Sequence, residues 1–149
     1  MSEPPADSAP HSTGPPDRQT LLLLERHLSS DSLVTETTFD PDSYEPRLLR
    51  GLLDVGQYPD AVTAARLDIR WFTTGDFSVH YVEEDKNGKR WECRWDRHTN
   101  THNTRLHFHK PPSATEVTDL ELPSLHPLEV YSTVLTAIEQ RIEALWSSH

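Results

Sequence analysis

The sequence predicts one α+β domain: an N-terminal helix, an antiparallel sheet of about five to six strands, and a C-terminal helix packed on one sheet face. Three observations carry this expectation. The middle of the chain alternates apolar and polar side chains with period two, the repeat of a half-buried strand. The last part repeats apolar residues every three to four positions, the repeat of a helix lying on a core. A length of 149 residues is one domain's worth.

Residues 1–16, MSEPPADSAPHSTGPP, hold five prolines and no large apolar side chain beyond Met1. Such a segment cannot bury enough surface to offset its ordering entropy. It is expected to be a disordered acidic, Pro-rich tail, with the domain over 17–147. A helix is predicted from Asp17 to Ser29: Asp17 can cap it, and Leu21, Leu24 and Leu28 recur at helical spacing. Leu33 to Phe39 is rich in Thr and Val and reads as a strand, Asp40-Pro-Asp-Ser-Tyr as a turn, and Leu48 to Asp54 as a second strand. A short helical turn is expected at Ala61 to Ala64.

Three half-buried strands follow. Ala65, Leu67, Ile69 and Trp71 alternate with Arg66, Asp68 and Arg70; Phe77, Val79 and Tyr81 with Ser78 and His80; Trp91, Cys93 and Trp95 with Glu92, Arg94 and Asp96. Thr74-Gly75-Asp76 and Lys86-Asn87-Gly88 join them, with Gly88 suited to the left-handed position of a three-residue loop. A loop centred on Asn87 sets Glu84 opposite Arg90 and His80 opposite Arg94, and keeps both aromatic sets on one face. A similar loop at 74–76 sets Arg70 opposite His80. The polar face then carries the row Arg70, His80, Arg94. Residues 98–113 read as a loop ending at Pro111-Pro112, and Thr115 to Leu122 as an edge strand. The final helix starts near His126-Pro127, with proline at its first position. Leu128, Tyr131, Leu135, Ile138, Ile142 and Leu145 form its apolar stripe.

Composition narrows the function. Net charge is −10, with 11 Arg against 3 Lys, a Lys-poor acidic balance of the kind halophilic proteins use. The charge is uneven: residues 46–110 hold eleven bases against nine acids, and five of the nine histidines. That middle alone welcomes an anion. Cys93 is the one cysteine, so no internal disulfide and no multi-cysteine zinc site can form, and a cytoplasmic setting is expected. It sits mid-strand on the apolar face and reads as core. No apolar run reaches the length of a membrane span. No glycine-rich phosphate loop and no nucleophile elbow is present.

The candidate chemistry lies in residues 90–110, RWECRWDRHTNTHNTRLHFHK, where His98, His102, His107 and His109 fall within twelve residues. One chemistry is RNA cleavage. RNA carries its own nucleophile, the 2′-hydroxyl, and needs a base, an acid and cations around the phosphorane. Imidazole serves as acid and base, and guanidinium as charge stabiliser. His80, Arg94, Asp96, His98, His102, His107 and His109 are the catalytic candidates. Arg66, Arg70, Arg97, Arg105 and Lys110 are the substrate-binding candidates. This reaction uses no cofactor. The alternative is a divalent metal such as zinc on His102, His107 and His109, in a metal-dependent hydrolase. A solvated loop without chemistry, in a binding or regulatory protein, also fits these residues.

Phe77-Ser-Val-His-Tyr, Asn87-Gly-Lys, Arg94-Trp-Asp, His102, His107-Phe-His109 and the helix from Leu128 are similar, in content and order, to the TumE-like family of toxin components of toxin–antitoxin systems. The resemblance covers roughly residues 65–146. It implies action on RNA, a cognate antitoxin protein as partner, and functional roles for Arg94, Asp96, His102, His107 and His109. Where that family often has adjacent histidines soon after the aspartate, this chain has His98-Thr-Asn-Thr-His102.

Overall fold

The computed structural model describes residues 14–99 and 104–148. Helix α1 spans Arg18–Ser29. Asp17 caps it, accepting from the Thr20 amide at 3.1 Å and the Thr20 hydroxyl at 2.9 Å. Seven strands follow: β1 (Val34–Asp40), β2 (Leu48–Leu53), β3 (Val62–Trp71), β4 (Phe77–Asp85), β5 (Arg90–Thr99), β6 (Thr104–Lys110) and β7 (Glu116–Asp119). Helix α2, Pro127–Ser147, closes the chain's described part, its first free amide held by His126 Nδ1 at 3.1 Å. The strands form one antiparallel sheet in sequence order. Each strand pairs with the next along the chain, so hairpin turns set the register of the whole sheet.

The β4–β5 hairpin has the expected register: His80 faces Arg94, Tyr81 faces Cys93 and Glu84 faces Arg90, with Gly88 at φ +76°. The β3–β4 hairpin departs from expectation by one loop residue. Its loop is Thr73–Gly75, closed by the Phe72 amide on the Asp76 carbonyl, with Gly75 at φ +90°. The cause is Asp76, which is fully buried and accepts from Arg97 Nη1 at 2.9 Å and the Thr99 hydroxyl at 2.6 Å. Those partners draw Asp76 out of the turn. Moving the loop centre by one residue moves every cross-strand partner by two. Arg70 therefore faces Ser78, and His80 faces Asp68.

Two further expectations are corrected. The helical turn at Ala61–Ala64 is the start of β3, and the short helical turn lies at Val55–Gln57, capped by Asp54. Residues 98–113 are not a loop throughout, since β5 runs to Thr99 and β6 occupies Thr104–Lys110. That gives the sheet its seventh strand. Ahead of α1, the Thr73 amide donates to Pro15 at 2.9 Å and Pro16 bridges Phe72, so these residues lie against the β3–β4 hairpin. Residues 1–13 lie outside the described residues.

Both helices cover the same sheet face. Leu21, Leu24 and Leu28 of α1 and Val130, Val134 and Ile138 of α2 pack with Leu49, Leu67, Ile69, Trp71, Val79, Tyr81, Cys93 and Trp95. Trp71 stacks on Phe77 with ring centroids 4.6 Å apart. One polar chain enters this core. The Tyr81 hydroxyl donates to Glu83 at 2.7 Å, so the Tyr58 hydroxyl, 2.7 Å from that of Tyr81, is the donor to it. Arg141 of α2 meets Glu83 with two bonds of 2.9 Å and lies 3.8 Å over the Trp91 ring. The opposite sheet face carries Arg66, Asp68, Arg70, His80, Arg94 and Asp96, and no described helix crosses it.

Candidate functional site: a histidine cluster on a buried aspartate

Period two places Arg94, Asp96 and His98 of β5 on the uncovered face, and pairing with β6 brings His109 opposite Arg94, His107 opposite Asp96 and Arg105 opposite His98. The polar row across the sheet is thus Arg50, Asp68, His80, Arg94, His109. It crosses five strands without an apolar member.

Asp96 is the centre. It is 1% exposed, although it points to the open face, because the side chains around it close over it. Its Oδ2 lies 2.7 Å from His109 Nε2, 3.2 Å from Arg94 Nε and 3.3 Å from His98 Nε2. Its Oδ1 is buried with no hydrogen-bond partner among the described residues, and His107 Nδ1 stands 3.9 Å from it. Three imidazoles and one guanidinium therefore converge on one carboxylate. Arg94 Nη2 is nearly equidistant from both ring nitrogens of His109, at 3.2 and 3.4 Å. Equal distances place the guanidinium across the ring instead of on one lone pair. Asp96, His107 and His109 each bring a potential metal-ligand atom within 4.8 Å of the others.

The electrostatics differ around the ring of histidines. Burial works against charge on Asp96, but the hydrogen bond from His98 and the charges of His98, His109 and Arg94 outweigh it and hold the carboxyl below its ordinary range. The hydrogen bond to Asp96 lifts His98 above its ordinary value. His109 moves down: burial, joined by the Arg94 charge, outweighs the pull of Asp96. Two imidazoles on one carboxylate are thereby pushed apart in basicity.

The remaining candidates fall into three groups. His80 lies beside Arg94 in the row but is held by Glu92, its Nε2 2.9 Å from Oε1. Arg66 is on the open face and bonds Asp68 at 3.2 Å; Arg70 and Arg105 are on the same face and exposed. Arg97 and Lys110 have the other phase. Arg97 faces Phe77 and Leu106 and is committed to Asp76, while Lys110 faces Glu116, so neither shares a surface with the cluster. Both stand apart from the Asp96 cluster. His102 lies outside the described residues. Sequence reasoning missed Glu92, whose shared phase with Arg94 and diagonal position to His80 were readable from the β4–β5 register. It also missed Arg50, which clamps Asp68 at 2.7 and 3.2 Å.

A protein-family model described as Toxin TumE matches residues 18–142. The chain belongs to the TumE toxin family. The match opens at the first residue of α1 and runs into α2, so it spans all seven strands of the sheet and every described residue of the Asp96 cluster. No curated relative and no solved structure matches the sequence. In this TumE member the cluster stands on regular strands, with the imidazole directions fixed by the pleat. Such a site is held more rigidly than one carried by a loop. No described helix is long and apolar enough to cross a membrane.

Proposed function

We propose that the protein is an RNA-acting toxin that cleaves phosphodiester bonds by histidine acid–base chemistry, with Arg94 stabilising the phosphorane. The observation that carries the proposal is the convergence of His98, His107, His109 and Arg94 on buried Asp96, on a sheet face that no described helix covers. The His98 and His107 rings stand side by side over Asp96, with centroids 6.5 Å apart. One imidazole removes the proton of the 2′-hydroxyl and the 2′-oxygen attacks phosphorus. The other imidazole protonates the departing 5′-oxygen. The products are a 2′,3′-cyclic phosphate and a free 5′-hydroxyl. Asp96 and His109, the more buried pair, position the outer imidazoles and Arg94. A guanidinium already on the face meets the extra negative charge without reorganising. Arg66, Arg70 and Arg105 extend the cationic surface along the sheet for neighbouring phosphates. A cognate antitoxin that neutralises the toxin completes the proposal, and the same open face is where it would act by covering the cluster.

The test is incubation of purified protein with RNA in the presence of chelator. Wild type is expected to cleave, leaving cyclic phosphate ends. His107→Ala and His98→Ala are each expected to slow cleavage at least about a hundredfold, the usual worth of a proton-transfer group. Arg70→Ala should weaken RNA binding and leave the cleaved product unchanged. Binding of RNA without turnover by wild type favours a non-catalytic binding protein on the same fold. Undiminished cleavage by both histidine variants removes this site.

A further inference from the structure

We propose that Asp96, His107 and His109 bind one divalent transition-metal ion of the zinc type, and that this ion and proton transfer on RNA exclude one another. The exclusion rests on the proposed RNA chemistry; the metal site itself does not.

The decisive atom is Asp96 Oδ1. It is a buried carboxylate oxygen with no hydrogen-bond donor among the described residues. A lone pair left without a partner in a protein interior is unfavourable. The other oxygen, Oδ2, already takes Arg94 and His109, so Oδ1 is the free ligand position. His107 Nδ1 faces it at 3.9 Å. Zinc sits about 2.1 Å from nitrogen and oxygen ligands, which separates two of them by about 3.4 Å at a tetrahedral metal. Closing the gap takes about half an ångström, within a small rotation of the partly exposed His107 side chain. His109 supplies the third atom by giving up its bond to Oδ2, all three ligand atoms lying within 4.8 Å of one another.

The donor set selects the ion. Two imidazoles and one carboxylate match zinc sites with three protein ligands and an open fourth position. Magnesium and calcium require mostly oxygen and have only one such ligand here. His107 and His98, with side chains 22% and 41% exposed, form the solvent side of the cluster. One feature opposes binding: the Arg94 guanidinium, with Nε 3.2 Å from Asp96 Oδ2, repels a cation. Removing that charge should therefore tighten the site, an outcome that general loss of structure would not produce. An imidazole nitrogen that donates its lone pair to a metal cannot accept a proton. Occupancy thus takes His107 out of acid–base chemistry and draws His109 away from its positioning bond to Asp96.

The experiment is calorimetric titration of the full chain, stripped with chelator and dialysed, with zinc chloride and separately with magnesium chloride. Wild type is expected to take up one zinc per chain and no magnesium. His107→Ala and His109→Ala should each weaken zinc binding at least tenfold, and Arg94→Gln should strengthen it severalfold. Thermal melting provides a second measurement for variants that fold less well: zinc should raise the midpoint of wild type and leave that of His107→Ala unmoved. Absence of zinc binding by wild type, or one-to-one binding that survives both histidine variants, overturns the site. Added zinc should suppress chelator-resistant RNA cleavage, and cleavage that requires zinc overturns the exclusion. Zinc binding without any RNA cleavage supports the metal site and refutes the RNA proposal. RNA cleavage without zinc binding does the reverse.

Discussion

At the scale of single residues, the polar face is organised by carboxylates that gather cations around them. Asp68 shows how. Burial alone would raise its pKa, but hydrogen bonds and charges from Arg50 and Arg66 together hold it below the ordinary value. A depressed carboxylate stabilises the fold above its unfolded pKa, about 3.9, and loses that contribution as pH falls through the lower folded value. Wild type and Asp68→Asn should accordingly differ most in urea midpoint near pH 5 to 6. The gap should narrow as pH falls below 4, and equal midpoints at pH 6 would show that the clamp contributes nothing. Residue identities of this kind were only partly legible in the sequence. Asp96 was marked by the histidines around it. Asp76 and Glu83 were not, because nothing local distinguishes a buried carboxylate from a surface one. Their partners, Arg97 and Arg141, lie 21 and 58 residues away. Cys93 was read as core, and burial pushes its thiol up to about 12, far from the range of a reactive thiolate.

At the scale of elements, turns carry the information that strands lack. The β4–β5 register followed from Asn87-Gly88 together with the charge pair of Glu84 and Arg90, two independent signals that agree. The β3–β4 register depended on a loop whose boundary was set by a buried side chain, and there local chemistry misled. Strand β6 escaped notice for a different reason. Leu106 and Phe108 alternate with His107 and His109, which is a period-two pattern, but one too short to stand out behind the polar run before it. Gly88 has φ +76°, and a methyl group there would meet nothing within 4 Å. Gly88→Ala should then lower stability by about 1 kcal/mol through backbone conformation alone. Denaturant unfolding measures it; an unchanged midpoint would show that the loop relaxes freely.

For the molecule as a whole, the two sheet faces divide the work. One face carries both helices and the core, so the other is free to display charge. The seam between α2 and the sheet is fastened by Arg141, which joins Glu83 and the Trp91 ring. Removing one partner of a buried ion pair leaves the other charged and unpaired, which is destabilising by about 3–5 kcal/mol. Arg141→Met should show a loss of that size in urea unfolding. Replacing both partners, as Glu83→Gln with Arg141→Met, should recover part of it. A double variant no more stable than the single one would mean that the arginine acts mainly through its contact with Trp91.

The placement of Arg141 has a consequence during synthesis. Chains emerge from the ribosome N-terminus first, and the sheet's hairpins can pair one after another as they appear. The carboxylate at position 83 is made long before the guanidinium that neutralises it. Until α2 arrives, the apolar sheet face beneath it stays uncovered and Glu83 lacks its guanidinium partner. A nascent toxin of this design cannot complete its core before α2 has been made.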